Sequence, residues 1–242
     1  MYRERPARSA VLGAARVWRG TAGPGGRILP DGCMDLLWDG ACLTVAGPDR
    51  RAFVVPDTGR RVETVGVRFE PGVGPAVFGV RADELTGLRV PLADLWSPRA
   101  VREPAERLGS IAPGGRTGDA LEAFAARLLA RSASPPPAWR REAVAALGAG
   151  LGVAATARRT GLGERQFRRW CTGAFGYGPK TLGRILRLQR ALRYGDAGVP
   201  AASVAALAGY ADQAHLARDV RDLAGVPWSR LRRDRRPAGG AS

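Results

Sequence analysis

The chain has 242 residues, of which 45% are hydrophobic and 25% charged, a composition typical of a soluble globular protein with room for two domains. No segment approaches the roughly 18 apolar residues of a membrane-spanning helix, and the N-terminus lacks an apolar signal core. We therefore expect a cytoplasmic protein that makes no contact with a membrane.

The formal net charge of +16 is concentrated in one half of the chain. Residues 139–242 hold 19 Lys/Arg against 7 Asp/Glu, a net charge of +12, whereas residues 1–138 hold 19 against 15, a net charge of +4. Codon bias explains the choice of Arg over Lys but not this asymmetry. The excess of base favours a polyanionic partner, double-stranded DNA, for the C-terminal half.

Cysteine and histidine are too few for most catalytic or metal sites. Cys33, Cys42 and Cys171 form no metal-ligand pair and leave an odd number for disulfides, which indicates reduced thiols. The only histidine, His215, lies far along the chain from Cys33, so a nucleophilic Cys33 would lack a histidine base. We expect no catalytic residues, no metal and no cofactor. A barrel enzyme fused to a DNA-binding domain is the weaker alternative.

Short apolar segments between Gly, Pro and Asp turns indicate β-strands over residues 27–92. The best candidates are residues 34–38, 41–46, 52–55 and 62–69. Asp39-Gly40, between the first two, predicts a hairpin turn in which both residues have positive φ. The expected fold of this half is a small antiparallel β-sheet or barrel, followed by helices from about residue 92.

Several polar or aromatic side chains lie nearest the ends of these predicted strands. They are Asp31, Cys33, Asp35, Trp38 and Arg68. At the mouth of a barrel such residues would bind a small-molecule effector. Two alternatives remain open: that they only shape turns and salt bridges, and that Cys33 is a redox sensor or an alkyl acceptor.

A helix with one apolar face is predicted before a proline-rich break. Its apolar residues are Leu121, Phe124, Ala125, Leu128 and Leu129. This face either packs on its own domain or forms the seam of a homodimer. The three prolines at 135–137 cannot continue a helix, so we place a domain boundary there. The predicted segments are a sensor or dimerisation domain over residues 1–131, a linker over 132–138, a DNA-binding domain over 139–236 and a disordered tail over 237–242.

Two helix-turn-helix patterns, over residues 153–170 and 201–220, dominate the C-terminal half. Each has a small alanine where two helices cross, and a glycine four residues later where the turn needs a backbone free of Cβ strain. The glycines, Gly161 and Gly209, are 48 residues apart, and two such copies argue against coincidence. Helices are predicted at about 139–149, 153–160, 164–174, 179–193, 201–208 and 212–222, followed by a basic tail.

The second helix of such a motif lies in the major groove and presents its outward side chains to the bases. The predicted core anchors are Leu162, Phe167 and Trp170 in the first unit and Tyr210, Leu216 and Val220 in the second. The outward residues are Arg165, Gln166, Arg168, Arg169 and Thr172 in the first unit and Gln213, Ala214, His215 and Arg218 in the second. Arginine pairs with guanine and glutamine with adenine, while alanine packs on the thymine methyl group. The alternatives are that the arginines contact only phosphates and that His215 has no special role.

The segment over residues 180–193 predicts a helix of roughly 20 Å that connects the two units. With its flanking helices, it would place the two recognition helices about 34 Å apart, which is one turn of DNA. Both units would then enter successive major grooves on one face of the duplex.

Short motifs within residues 139–233 carry a family resemblance; among them are Tyr177-Gly178-Pro179, Leu188-Gln-Arg-Ala-Leu192, Gly209-Tyr210-Ala-Asp-Gln-Ala-His-Leu and Gly225-Val-Pro-Trp. They resemble the DNA-binding domain of AraC/XylS-type transcriptional regulators. The resemblance implies a seven-helix domain and an asymmetric DNA site read by one protomer. Gly163, Cys171 and Val220 depart from the family pattern, and Gly163 replaces the Ser or Thr that usually caps the first recognition helix.

Three N-terminal segments, 30–38, 46–48 and 66–72, resemble the sensor-like domain that precedes the same DNA-binding domain in many regulators. The predicted fold class is therefore α+β with two domains. The predicted function is sequence-specific DNA-binding transcriptional regulation, controlled by a small-molecule effector or by oligomerisation as a homodimer, with RNA polymerase as a further candidate partner. A DNA-binding protein that needs no ligand is the main alternative.

Overall fold

The structure is a computed structural model that describes residues 2–57, 59, 61–112, 116–133 and 135–235. The strands are β1 (Arg3–Pro6), β2 (Arg16–Ala22), β3 (Arg27–Ile28), β4 (Met34–Trp38), β5 (Leu43–Ala46), β6 (Phe53–Val54), β7 (Val62–Phe69) and β8 (Arg89–Pro91). The helices are α1 (Gly74–Phe78), α2 (Leu92–Leu95), α3 (Pro98–Gly109), α4 (Thr117–Ala130), α5 (Trp139–Gly148), α6 (Val153–Arg159), α7 (Glu164–Phe175), α8 (Pro179–Asp196), α9 (Ala201–Ala208), α10 (Gln213–Ala224) and α11 (Trp228–Arg235). Two short 3-10 helices cover Ala10–Leu12 and Ala82–Leu85. The predicted disordered tail, 237–242, lies outside the described residues.

Six strands form one antiparallel sheet in the order β1-β2-β7-β4-β5-β8, and β3 pairs with β6 in a separate two-stranded ribbon. The prediction of a small antiparallel sheet is confirmed. The outer strands β1 and β8, both fully described, do not pair with each other, so the sheet is open rather than a closed barrel.

Side-chain alternation along the central strands gives the sheet one apolar face. On β4 the even-numbered residues Met34, Leu36 and Trp38 enter the core, and β7 contributes Val65, Val67 and Phe69 to the same face. Helix α4 covers this face with Leu121, Phe124 and Ala125, all of them buried. The apolar face of α4 therefore packs on its own sheet, which favours this alternative over the dimer seam.

The hairpin between β4 and β5 forms where it was predicted, but with a different turn. Trp38 pairs with Leu43, which leaves a loop of four residues. Only Gly40 has positive φ (97°), so the expected positive φ at Asp39 is wrong. Asp39 instead accepts hydrogen bonds through Oδ1 from the backbone N–H groups of Ala41 (2.9 Å) and Cys42 (2.7 Å).

Strands β1 and β2 were not predicted, although β2 pairs with β7 along seven residues. Their sequences alternate poorly, because β2 carries Arg16, Arg19 and Gly20, and Val17 is its only fully buried side chain. The sheet therefore gains these strands from backbone pairing with β7 more than from an apolar pattern of their own.

Helices α5 to α11 form the C-terminal half and confirm the seven-helix expectation. Pro179 occupies the first position of α8, where its missing N–H costs nothing. Gly161 and Gly209 both have positive φ, 72° and 82°, as the helix-turn-helix patterns require. These helices enclose a second apolar core that is formed by residues between 143 and 231, separate from the core of the sheet.

The two cores meet across an interface of loops and helix ends. The Gln189 side chain on α8 donates a hydrogen bond to the carbonyl of Pro30 (2.7 Å), and Arg140 Nη1 on α5 donates to the carbonyl of Gly72. Leu182 packs close to Gly32. The segments that resemble a sensor domain thus lie at the junction with the helical half.

Glu122 on α4 binds the N-terminal segment, residues 5–9, to this helix. Its buried carboxylate accepts hydrogen bonds from the backbone N–H of Arg8 (2.5 Å), the backbone N–H of Ser9 (2.8 Å) and Arg5 Nη1 (2.7 Å). Burial raises the pKa of this carboxyl, but the hydrogen bonds outweigh burial, and the net pKa lies below its ordinary value.

We expect Glu122→Ala to lower the free energy of unfolding by about 3 kcal/mol, because it leaves two backbone N–H donors without their acceptor and removes one of the two carboxylates that bind Arg5. Since the folded pKa is depressed, the wild-type stabilisation is present above about pH 4.3 and is lost as the pH falls through the lower, folded pKa. Chemical denaturation between pH 3 and 7 measures both effects. Glu103→Ala, which breaks an exposed i,i+4 pair with Arg107, is the control and should change stability by less than about 0.5 kcal/mol. Equal losses for the two variants would contradict this role.

Candidate nucleic-acid interface

The first helix-turn-helix unit consists of α6 and α7. Ala157 is buried where α6 crosses its neighbours, and α7 buries Phe167, Cys171 and Phe175, which are spaced by four residues. Trp170 is 36% exposed and lies against Trp139, with ring centroids 5.9 Å apart. The prediction of Trp170 as a core anchor is therefore wrong; Cys171 and Phe175 take that role, and their spacing from Phe167 was the available signal.

The predicted outward residues of α7 lie away from this buried face. Arg165, Arg168 and Arg169 are exposed, while Gln166 and Thr172 are half-buried. Arg168 is 3.5 Å from Glu164 one turn earlier, a weak exposed pair. The Thr172 hydroxyl donates to the carbonyl of Arg168 (3.1 Å). Within the described part of the chain, Arg165 and Arg169 have no acidic partner.

The second unit, α9 and α10, buries all three of its predicted anchors, Tyr210, Leu216 and Val220. Gln213, Ala214 and Arg218 are exposed, as an outward face requires. Asp212 caps α10, because its Oδ1 accepts from the backbone N–H of His215 (2.6 Å). Sequence analysis missed this cap, although an Asp before a helical segment is its usual signal.

His215 takes part in local structure. Its ring packs edge-on against Tyr210 with centroids 5.1 Å apart, and its Nδ1 accepts from the backbone N–H of Ala211 (3.4 Å). The side chain is half-buried rather than projecting freely. The contacts of His215 therefore stabilise the start of α10.

Every acidic residue of the C-terminal half already has a partner. Glu142 pairs with Arg159, Glu164 with Arg168, Asp196 with Arg235, Asp219 and Asp222 with Arg184, and Asp234 with Arg230, while Asp212 caps α10. The Arg184 hydrogen bond is the main reason that the pKa of Asp222 lies below its ordinary value. The outward arginines Arg165, Arg169 and Arg218 face no acid among the described residues, so the surface of α7 and α10 keeps its positive charge.

The predicted effector residues are only partly brought together. Arg68 Nε on β7 is 3.2 Å from Asp31 Oδ2 and 3.2 Å from Asp35 Oδ1 on β4. The backbone N–H of Cys33 donates to Asp31 Oδ1 (2.9 Å). Trp38 points to the opposite face of the sheet, into the apolar core, so the structure does not bring it to this cluster.

Trp18 on β2 joins the cluster instead. Its Nε1 donates to Asp35 Oδ1 (2.7 Å), and its ring occupies the space in which a Cβ of Gly66 would lie. Burial raises the pKa of Asp35 although Arg68 opposes it. Burial disfavours the charge on Arg68, but Asp35 and Asp31 outweigh burial and raise its pKa. The cluster is thus a partly buried charge network whose groups already bind one another.

Two surface cavities lie elsewhere. One, of about 280 Å³, is lined by α1, Trp96, Leu128 and residues 131–133. The other, of about 530 Å³, is lined by residues 49–53, Asp83, Thr86 and Gly87. Neither is lined by the five predicted effector residues.

The described residues contain no group of three or more His, Cys, Asp or Glu side chains placed to hold a metal ion. None of the described helices has both the length and the apolar character needed to span a membrane.

Comparison with known protein families finds a match in each half of the chain. Residues 156–234 match a helix-turn-helix domain, and residues 16–91 match a domain of unknown function (DUF6597). No curated protein matches the sequence closely enough to count as a relative.

Among solved structures, the chain resembles ToxT from Vibrio cholerae. An apo variant has a TM-score of 0.52 at 9% identity, with 94% of this chain and 98% of that chain covered. A second ToxT structure has a TM-score of 0.50 at 6% identity, with 96% and 97% covered. A third, bound to (E)-4-(8-methylnaphthalen-1-yl)but-3-enoic acid, has a TM-score of 0.50 at 7% identity, with 96% and 98% covered. At such identities the likeness concerns the fold.

With its two helix-turn-helix units and the matched sequence profiles, the chain carries an AraC-type helix-turn-helix domain behind a DUF6597 domain, and it is a DNA-binding transcriptional regulator.

Proposed function

We propose that the protein binds a specific, asymmetric DNA site with α7 and α10 in successive major grooves. The observation that carries the proposal is the unneutralised charge on these helices. Arg165, Arg169 and Arg218 face outward without an acidic partner in the described chain, although all acids of the same half are engaged. Such arginines attract phosphates and can bind guanine O6 and N7.

The proposed DNA contacts differ between the units. Arg165 and Arg169 are one helical turn apart on the same face of α7, and we assign guanine contacts to them. Arg168, Gln166 and Thr172 flank this face. Arg168 shares its charge with Glu164, which favours a phosphate contact over base recognition. On α10, Gln213 and Ala214 are the proposed contacts to an A·T pair, with Arg218 on guanine or phosphate and His215 beside them.

We propose further that residues 1–131 regulate DNA binding and that 132–138 link them to the DNA-binding domain, residues 139–236. A ToxT structure holds an aromatic carboxylic acid, which supports a small-molecule effector as the first form of control. Asp31, Cys33, Asp35 and Arg68 remain the proposed effector residues, because they lie together near the junction between the halves. Homodimerisation and contact with RNA polymerase are separate proposals, and light scattering at micromolar concentration tests the dimer.

The first prediction concerns the arginines of α7. We expect Arg165→Ala and Arg169→Ala each to weaken binding to a site selected from random DNA by about 5- to 150-fold, the equivalent of 1–3 kcal/mol. Binding to random DNA should fall by less than about threefold, because only one phosphate contact is at stake there. Titration of labelled duplexes by fluorescence anisotropy measures both affinities. Arg102→Ala on α3 is the control of equal charge. An equal loss on selected and random DNA would mean that these arginines contact only phosphates.

The second prediction concerns α10. Gln213→Ala should abolish the preference for adenine at one position of the selected site, at a cost of about 5- to 100-fold in affinity for that site. It should leave binding to random DNA unchanged because it removes no charge. Ser229→Ala, another exposed polar position, is the control. Repeating the selection with each variant measures base preference, and an unaltered consensus for the Gln213 variant would remove α10 side chains from base recognition.

The third prediction concerns Cys33 as an oxidant sensor. Burial raises the pKa of its thiol, and the Asp31 carboxylate adds to the effect, so the reactive thiolate is scarce at neutral pH. We expect iodoacetamide at pH 7.5 to label Cys33 in the folded protein at least about 100-fold more slowly than in the unfolded chain. Mass spectrometry of labelled peptides measures the rates. Fast labelling of the folded protein, together with loss of DNA binding that Cys33→Ser prevents, would establish the sensor alternative.

A further inference from the structure

One loop of the N-terminal half contacts the C-terminal ends of both recognition helices. We call residues 48–52 the clamp loop. At the end of α7, the clamp loop and its neighbour Thr86 bind the carbonyl of Gly176: Thr86 Oγ1 donates to it (3.0 Å), and Arg50 Nη2 also donates (3.4 Å). At the end of α10, the backbone N–H of Ala52 donates to the carbonyl of Leu223 (2.7 Å).

These acceptors are groups that a helix cannot satisfy by itself. The last four carbonyls of an α-helix lack partners within the helix, and cations near them also complement the helix dipole. Leu223 is the second-last residue of α10, and Gly176 directly follows α7. The clamp loop therefore supplies, from outside the helical half, donors that both recognition helices need.

The residue that follows α7 packs tightly against the clamp loop and Thr86. Gly176 has a φ of 83°, and a Cβ placed there would lie 2.5 Å from the Pro48 ring and 2.5 Å from Thr86 Oγ1. The end of α7 is thus held sterically as well as by hydrogen bonds.

A charge network fixes the other end. Arg51 Nη2 is 2.7 Å from Asp222 Oδ1 on α10, while Asp222 Oδ2 is 2.6 Å from Arg184 Nη2 on the connecting helix α8. The clamp loop and α8 therefore meet at one carboxylate. Arg184 also binds Asp219 (2.6 Å), so α10 is held from two sides.

The clamp loop is itself anchored in the N-terminal half. Asp49 pairs with Arg89 on β8 (2.6 Å), and the carbonyl of Pro48 accepts from the backbone N–H of Gly87 (3.0 Å). The backbone N–H of Gly47, just before the loop, donates to the carbonyl of Leu88 (3.0 Å). A movement of this part of the sheet would be transmitted to α7 and α10 together.

We propose that the clamp loop fixes the separation and relative orientation of the two recognition helices, so that the N-terminal half determines which spacing between half-sites the protein accepts on DNA. The inference rests on the proposed function, in which both helices read the same duplex. One inserted base pair rotates the second half-site by roughly 35° and moves it by about 3.4 Å. We expect a clamped pair of helices to resist this change, whereas a pair held only by α8 and the apolar core of the helical half adapts to it more readily.

The test uses the full chain and the DNA site that the wild-type protein selects from random sequence. Affinity is measured for that site and for versions with one or two base pairs inserted or deleted between the half-sites. The loosened protein carries Arg50→Ala, Arg51→Ala and Thr86→Val, all at half-buried or exposed positions. The control carries Arg99→Ala and Arg102→Ala on α3, which remove the same charge far from the helix ends. Circular dichroism verifies that both variants fold.

We expect the wild-type protein and the control to lose about tenfold or more in affinity for each altered spacing, because one half-site is no longer contacted. The loosened protein should lose less than about threefold. An unchanged spacing penalty in the loosened protein overturns the clamp while leaving the proposed function intact. Indifference of the wild-type protein to spacing overturns two-groove binding and the clamp with it. Failure to select any site overturns the proposed function as a whole.

Discussion

Most of the hydrogen bonds between the two halves of the protein are accepted by main-chain carbonyls, and the placement of α7 and α10 depends on them. Arg140, Gln189 and Thr86 donate from side chains to the carbonyls of Gly72, Pro30 and Gly176, and the backbone N–H of Ala52 donates to Leu223. A carbonyl points where its backbone directs it, so these bonds form only when the helix axes and loops are correctly oriented. The interface therefore selects one arrangement of the two halves.

This selectivity has a cost in stability. The Arg140 side chain is buried at the interface, and burial lowers its pKa to about 10, so it stays charged at neutral pH. Its Nη1 binds the carbonyl of Gly72, but its Nε has no partner among the described residues. A buried charge that is only partly satisfied contributes little net stability, while removing its remaining acceptor is expensive. The junction thus defines an orientation more strongly than it holds the halves together, which suits a part that transmits regulation.

The elements that the sequence predicted correctly are those whose signals lie within one segment of the chain. Strands β4 and β7 match the predicted bounds, because alternation and flanking turns lie within the segment itself. Strands β1 and β2 depend on pairing with β7 and have no such pattern. At the sites, outward arginines follow from helical spacing alone, whereas the exchange of Trp38 for Trp18 depends on the register between β2 and β7, which pairs Trp18 with Gly66. Contacts of the clamp loop with the helical half link segments more than 120 residues apart, and no local pattern indicates them.

The two recognition helices also differ in the way they begin, which adds to the asymmetry of their side chains. α7 begins at Gly163, which offers no side-chain cap, so its first N–H groups remain free to bind a DNA phosphate at the positive end of the helix. α10 begins at Asp212, whose carboxylate accepts a hydrogen bond from one of the first N–H groups of α10 and repels phosphate. In the proposed complex, the unit with the outward arginines would therefore also offer backbone N–H groups to a phosphate, whereas the second unit would depend on its uncharged side chains and on Arg218. The clamp loop contacts the C-terminal ends of both helices, so in the proposed complex the N-terminal half would influence their orientation without contacting their N-terminal ends.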